Sequence, residues 1–165
     1  MNTRRCPACG FEAPMADGPV HEYLTVSPEC WAQFNVSMAL HYSEFAYWRA
    51  HQLLVDAYTL QHSPGTDRRA VQSAALHLAA LVHAIENPDA PDARTIRLRK
   101  GLAGRDDLFP VFDPYPTASI TIASVDNENG PDAHWDTVCA FARAVYDDWQ
   151  VHHGAAHKMI AEVLQ

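Results

Sequence analysis

The sequence has no apolar run that approaches the roughly 18 residues a membrane-spanning helix needs. Basic residues near its start are followed by no apolar segment, which argues against a secretory signal. Basic residues are also few, with 12 Lys and Arg against 20 Asp and Glu and a net charge of −8. General nucleic-acid binding needs a basic surface, so it is disfavoured. We therefore expect a cytoplasmic protein that binds neither membrane nor nucleic acid.

The usual short catalytic motifs are missing as well. The sequence contains no G-x-S-x-G elbow, no Gly-rich phosphate loop and no dinucleotide fingerprint. The zinc deaminase signature is also absent, because Arg5 rather than proline precedes Cys6 and no H/C-x-E motif lies upstream. The sequence thus names no reaction directly.

A cluster of metal-ligating residues lies within the first thirty positions. Cys6, Cys9, His21 and Cys30 follow the spacing C-x2-C-x11-H-x8-C. A C-x-x-C pair in a reducing compartment is more typical of a metal or redox site than of a disulfide, and a third cysteine favours zinc. With His21 as fourth ligand the site is closed and structural. With three cysteines alone the fourth position is open to water, substrate or a more distant histidine.

The remaining pattern predicts an all-α fold, a four- to five-helix bundle with an irregular, zinc-bound N-terminal segment. We expect a single domain over residues 1–165, with a metal-tied leader at 1–26 and the bundle at 27–165. Ser27, Ser43 and Thr66 are the expected N-caps of the first three helices. The helices are predicted at residues 28–41, 44–62, 67–86, 92–100 and 132–162, the last of them bent at Gly154. A basic run at residues 94–105 is interpreted as a solvated helix face in preference to an anion site.

A second polar group is scattered through the predicted helices. Asp56 lies beside an apolar stripe, where an isolated carboxylate is costly to bury and needs a cation, metal or donor as partner. His153 and His157 are one helical turn apart, the spacing at which two imidazoles share a metal. The whole group is Asp56, His62, His77, His152, His153 and His157. The alternative is that each histidine is an ordinary hydrogen-bonded core residue.

Several of these motifs together resemble a bacterial domain-of-unknown-function family of small proteins. The pattern of that family is CPxCG, GPxHxY, SPxCW, VDAYxxQH, an HL pair and WxxHH. The sequence carries Cys6-Pro7-Ala8-Cys9-Gly10, Gly18-Pro19-Val20-His21-Glu22-Tyr23, Ser27-Pro28-Glu29-Cys30-Trp31, Val55-Asp56-Ala57-Tyr58 with Gln61-His62, His77-Leu78 and Trp149-Gln150-Val151-His152-His153. It departs at Ser63, which separates His62 from Pro64. The resemblance implies no activity, but it implies that His21 belongs with the cysteines and that the Asp and His residues form one functional group.

Three hypotheses follow from these patterns. In the first, the protein is a zinc metalloprotein that acts on a small molecule through Asp56, His62, His77 and His153, with or without a second metal. In the second, it is a non-enzymatic binding or redox-sensor module with a purely structural zinc. In the third, the chemistry takes place at three zinc-bound cysteines with an open fourth position.

Overall fold

The first helix begins where the sequence predicts. The computed structural model describes residues 2–165. In it Ser27 Oγ accepts a hydrogen bond from the Cys30 N–H at 3.2 Å. Pro28 occupies the first helical position, where a backbone N–H would have no intrahelical acceptor, so proline costs no hydrogen bond there. Glu29 Oε1 accepts the Ala16 N–H at 2.8 Å and lies 3.3 Å from Arg4. The start of this helix therefore also anchors the leader.

The prediction of an all-α fold is confirmed. Residues 2–165 contain six α-helices and a two-stranded sheet. The helices are α1 (Pro28–Ser43), α2 (His51–Gln61), α3 (Arg68–Glu86), α4 (Asp92–Leu102), α5 (Pro131–Asp148) and α6 (His153–Leu164). Short 3-10 segments lie at Phe45–Ala50, Asp106–Leu108, Ile122–Ser124 and Gln150–His152. None of the helices in this part of the chain combines the length and apolar character needed to cross a membrane.

The leader is more ordered than the sequence predicts. Strands β1 (Thr3–Arg5) and β2 (Glu12–Pro14) pair antiparallel, with Thr3 opposite Pro14. In the connecting loop the Gly10 N–H donates to the Cys6 carbonyl at 3.0 Å, and Gly10 has a φ of 80°, which L side chains rarely adopt. The hairpin thus folds the C-x-x-C turn back on itself.

Two predicted N-caps are wrong. Ser43 Oγ donates to the Leu40 carbonyl within α1, and a 3-10 segment precedes α2. The third helix is capped by Asp67 rather than Thr66, because the Asp67 carboxylate accepts the N–H groups of Arg69 and Ala70.

Helix α3 is central to the core. It packs against α2, α4, α5 and α6. Its inner side is buried, with Ala74, Ala75, Leu78, Leu81 and Val82 at most 2% exposed. The small alanines allow the helices to approach closely, and the buried apolar side chains form one contiguous cluster.

The last predicted helix is divided in two, but not at Gly154. The division falls at the 3-10 segment Gln150–His152, between α5 and α6. There the Trp149 side chain, 1% exposed, lies edge-on to Phe112, and His152 Nε2–H donates to the Pro114 carbonyl at 2.8 Å. These contacts hold the segment between α5 and α6 against the loop before α5, and the number of helices rises from five to six.

Candidate metal centre and neighbouring polar sites

Four buried side chains converge at one point beneath the leader. Cys6 and Cys9 come from the hairpin loop, Cys30 from the first turn of α1, and His62 from the residue that ends α2. One ligand atom from each lies within 4.8 Å of the others, and within residues 2–165 this is the one group of three or more Cys, His, Asp or Glu residues that satisfies this spacing. The arrangement can hold a metal ion.

Two distances within this group match edges of a coordination tetrahedron. Zinc–sulfur bonds of about 2.3 Å and zinc–nitrogen bonds of about 2.0 Å at tetrahedral angles place two sulfurs about 3.8 Å apart and a sulfur about 3.5 Å from a nitrogen. Cys9 Sγ and Cys30 Sγ are 3.7 Å apart, and Cys30 Sγ is 3.5 Å from His62 Nε2. All four cysteines of the chain are free thiols.

His62 is held in the tautomer that a metal requires. Its Nδ1–H donates to the Tyr58 carbonyl one turn earlier at 2.7 Å, which leaves the Nε2 lone pair directed at the sulfurs. The ring also stacks on Tyr58 with the centroids 4.0 Å apart, and the Tyr58 hydroxyl lies 3.3 Å from Cys30 Sγ. These contacts orient the ligand and add a donor to one sulfur.

Three thiols this close together do not all ionise without a cation. Hydrogen bonds from Cys30 and Cys9 lower the pKa of Cys6. The hydrogen bond to Cys6 raises the pKa of Cys30. A bound divalent ion supplies the compensating charge.

The predicted fourth ligand, His21, is not in this group. Its Nδ1 accepts the Tyr23 N–H at 3.1 Å, and its ring lies edge-on to Trp31 at 5.1 Å. His62 completes the group because the end of α2 brings its imidazole to the sulfurs, whereas the His21 ring is held by contacts with Tyr23 and Trp31. The backbone N–H of Thr25 donates to the His62 carbonyl at 2.9 Å, which fixes leader and helix together.

Asp56 and His77 do come together, as the second polar group predicts. Asp56, 1% exposed, accepts a hydrogen bond from His77 Nδ1–H at 2.8 Å. It also accepts from Arg99 of α4, and from Gln52 at 3.3 Å. Of the partners predicted for this buried carboxylate, a cation, a metal or a donor, the structure supplies the cation Arg99, so the basic run is not entirely a solvated face.

His77 also lines a cavity of about 570 Å³. Its side chain is 20% exposed, and within residues 2–165 its Nε2 has no hydrogen-bond partner. One wall is the leader, which contributes His21, Tyr23 and Leu24, and the Arg69 guanidinium lies 3.7 Å above the Tyr23 ring. An imidazole with its Nδ1–H bound by a carboxylate and its Nε2 free is the arrangement of a general base.

The other members of the second group lie apart from this dyad. His62 belongs to the cysteine cluster. His153 Nε2–H donates to the Tyr146 carbonyl at 2.9 Å, and His157 pairs with Glu86 at 2.9 Å. The prediction of one functional centre with Asp56, His62, His77 and His153 is therefore wrong. These residues project from α2, α3 and α6 to different partners.

A buried histidine chain was missed. His41 Nε2 lies 2.7 Å from His134 Nε2, and His41 Nδ1 lies 3.4 Å from His51 Nδ1. His134 Nδ1 is 2.7 Å from the Asp126 carbonyl, which accepts only, so His134 carries its proton there and His41 donates to its Nε2. Burial lowers the pKa of His41 to about 4 and also lowers that of His134. The contact of His41 in α1 with His134 in α5 has no local sequence signal.

Comparison with family models gives a match that covers most of the chain. No curated protein and no solved structure matches the chain. A family model described as "Family of unknown function (DUF5946)" matches residues 4–150, which include all four residues of the metal centre and the Asp56–His77 pair. The chain belongs to this family of unknown function, DUF5946.

Proposed function

We propose that the protein is a cytoplasmic zinc protein that acts on a small molecule, with His77 as general base and Asp56 as its positioning residue. The observation that carries this proposal is the 2.8 Å hydrogen bond from His77 Nδ1–H to a buried carboxylate at the wall of a cavity. Neither nucleic acid nor membrane is a proposed partner, in keeping with the net charge of −8.

Zinc is the metal that this donor set favours. Three thiolates and one imidazole in a tetrahedral arrangement are typical of structural zinc sites, which have no open position for substrate. The role proposed for the metal is therefore to hold the leader on the bundle. Because the leader forms one wall of the cavity beside His77, the zinc also supports the proposed site.

The chemistry proposed for the dyad is proton abstraction. Asp56 is paired with Arg99, so it remains an acceptor and holds the proton of His77 on Nδ1. The free Nε2 then takes a proton from a substrate O–H, N–H or acidic C–H in the cavity. The imidazolium that forms lies against the Asp56 carboxylate, which stabilises its positive charge.

A chemically simple probe tests the base without knowledge of the substrate. 5-Nitrobenzisoxazole loses a proton from carbon to any suitable base, and its ring then opens to a coloured phenolate. We expect the zinc-loaded protein to accelerate this reaction, and His77→Gln to lower the rate at least about tenfold, since a positioned base contributes about 10²-fold or more. His157→Gln is the matched control, because His157 also pairs with a carboxylate but lies outside the cavity.

A spectroscopic measurement keeps the test independent of the probe's fit. Long-range ¹H–¹⁵N NMR at neutral pH is expected to show His77 with its proton on Nδ1, and Asp56→Asn is expected to change that tautomer. A proton on Nε2 in the unsubstituted protein would rule out the proposed base. Equal rates for the unsubstituted protein, His77→Gln and His157→Gln would instead favour a non-enzymatic binding module.

A further inference from the structure

A second histidine lines the cavity that contains His77. It is His21, which comes from the leader, whereas His77 comes from α3. Leader and bundle thus each contribute one imidazole to the same cavity of about 570 Å³, a volume suited to a small organic molecule. The role of His21 in this cavity is separate from the metal centre, which it does not join.

The two imidazoles are held in opposite tautomers. The backbone N–H of Tyr23 donates to His21 Nδ1 at 3.1 Å, so Nδ1 carries the lone pair and the proton of the neutral ring is on Nε2. In His77 the proton is on Nδ1, which donates to the Asp56 carboxylate at 2.8 Å, and the lone pair is on Nε2. His21 therefore offers a hydrogen-bond donor where His77 offers an acceptor.

Both Nε2 atoms are accessible to a ligand. Within residues 2–165 neither has a hydrogen-bond partner, and neither is among the side-chain atoms that are shut off from solvent without one. Each residue is partly buried, and the His21 ring lies edge-on to Tyr23 and Trp31 with centroid distances of 5.9 and 5.1 Å. The donor and the acceptor are thus both ordered by the protein and unused by it.

A base beside an N–H donor is the combination that enolises a carbonyl compound. When a base removes a proton from the carbon next to a carbonyl group, negative charge develops on the carbonyl oxygen, and a positioned N–H stabilises it. We propose that this cavity binds small carbonyl compounds with an acidic C–H beside the carbonyl and enolises them, which rests on the proposed role of His77 as base.

The proposed step is balanced within the cavity. His77 Nε2 takes the proton, the electron pair of the broken C–H bond forms a C=C bond, and the C=O π electrons move to oxygen. The His21 Nε2–H donates a hydrogen bond to the enolate oxygen and keeps its proton. Return of the proton from His77 to carbon restores the carbonyl compound, so no other reactant is consumed.

The rest of the lining determines the probe. Leu24, Leu76 and the Tyr23 ring are apolar, and the Arg69 guanidinium lies 3.7 Å above that ring without forming an ion pair with any carboxylate in residues 2–165. Phenylpyruvate combines an apolar ring, a carboxylate and an acidic CH₂ beside a carbonyl. Its CH₂ protons exchange with deuterium from D₂O when it enolises, and ¹H NMR measures the rate after subtraction of the rate in buffer alone.

His21→Phe is the decisive variant, because it keeps a ring at this position and removes the donor. We expect the zinc-loaded protein to accelerate the exchange and His21→Phe to lower the rate at least about tenfold, since a positioned donor to a developing oxyanion contributes about 10²-fold or more. Its zinc content is expected to be unchanged, because His21 lies outside the cysteine cluster. His157→Phe is the matched control and is expected to retain the full rate, since His157 does not line the cavity.

The outcomes separate the donor from the base. If His77→Gln slows the exchange but His21→Phe does not, the donor role of His21 is refuted and His77 remains the base. Acceleration of the 5-nitrobenzisoxazole reaction without acceleration of the exchange would overturn the carbonyl substrate class alone. If His77→Gln retains the full rate in both reactions, the proposed base fails, and enolisation in this cavity fails with it. Long-range ¹H–¹⁵N NMR at neutral pH is expected to show the His21 proton on Nε2, and a proton on Nδ1 would overturn the donor role.

Discussion

Substitution of His62 tests the composition of the metal centre most directly. His62→Gln keeps most of the side-chain volume and removes the imidazole that faces the three sulfurs. His21→Ala is the matched variant, because His21 is the histidine nearest in sequence to the cysteines but lies outside the cluster. We expect His62→Gln to lose the metal and His21→Ala to retain it.

The expected loss of zinc affinity can be estimated from the number of ligands. Zinc contributes about 10–16 kcal/mol to the folding of small zinc-dependent domains. If four ligands share the lower value equally, the loss of one costs about 2.5 kcal/mol, or roughly sixtyfold in zinc affinity. His62 is 0% exposed and also donates to the Tyr58 carbonyl, so its replacement disturbs the core as well. Domains of ordinary size have a free energy of unfolding of about 5–15 kcal/mol, so the effect on stability is large.

The assay is zinc content after dialysis against a competing chelator, together with thermal unfolding with and without added zinc. The unsubstituted protein and His21→Ala are expected to hold about one zinc per chain and to unfold at the same temperature. His62→Gln is expected to release zinc and to unfold at a lower temperature. Retention of zinc by His62→Gln, together with its loss by His21→Ala, would refute the assignment and restore His21 as the ligand.

Two further predictions concern the bundle. Because burial lowers the pKa of His41 to about 4, the unfolded chain binds more protons than the folded one below the ordinary value of about 6.5. The stability contributed by neutral His41 is therefore complete above that pH and falls as the pH drops towards 4. His41→Gln is expected to make the free energy of unfolding, measured with urea, less dependent on pH in this window. An unchanged dependence of the free energy of unfolding on pH would show that His134 and its neighbours, rather than His41, control this loss of stability. In α4, Gly101→Ala is expected to destabilise the protein by about 1–3 kcal/mol, since the new Cβ would lie 2.2 Å from a Val163 methyl, whereas Gly154→Ala, with open space around it, is expected to stabilise it by about 0.5–1 kcal/mol. Equal effects at the two glycines in thermal unfolding would contradict the packing of α4 on α6.

Local signals in the sequence account for most of the fold. The Ser27 cap of α1 and the ranges predicted for α3 and α4 each depend on neighbouring residues, and the structure has helices close to those positions. The failures lie where distant contacts compete with local ones. Gly154 is the weakest helix former in its segment, yet the helix breaks earlier, because Trp149 packs against the loop that precedes α5.

The same division applies to the site. Sequence spacing determined that Cys6 and Cys9 lie together, because a tight turn joins them, and the third cysteine, Cys30, marked the helix start as a further ligand. It also determined that buried Asp56 needs a partner, since an isolated carboxylate is costly in a core. Only the packing of α2 beneath the leader decided that His62 rather than His21 completes the cluster. Only the approach of α4 to α2 made Arg99 the partner cation of Asp56. The choice of a metal ligand or an ion-pair partner that is distant in sequence depends on tertiary distance and not on spacing along the chain.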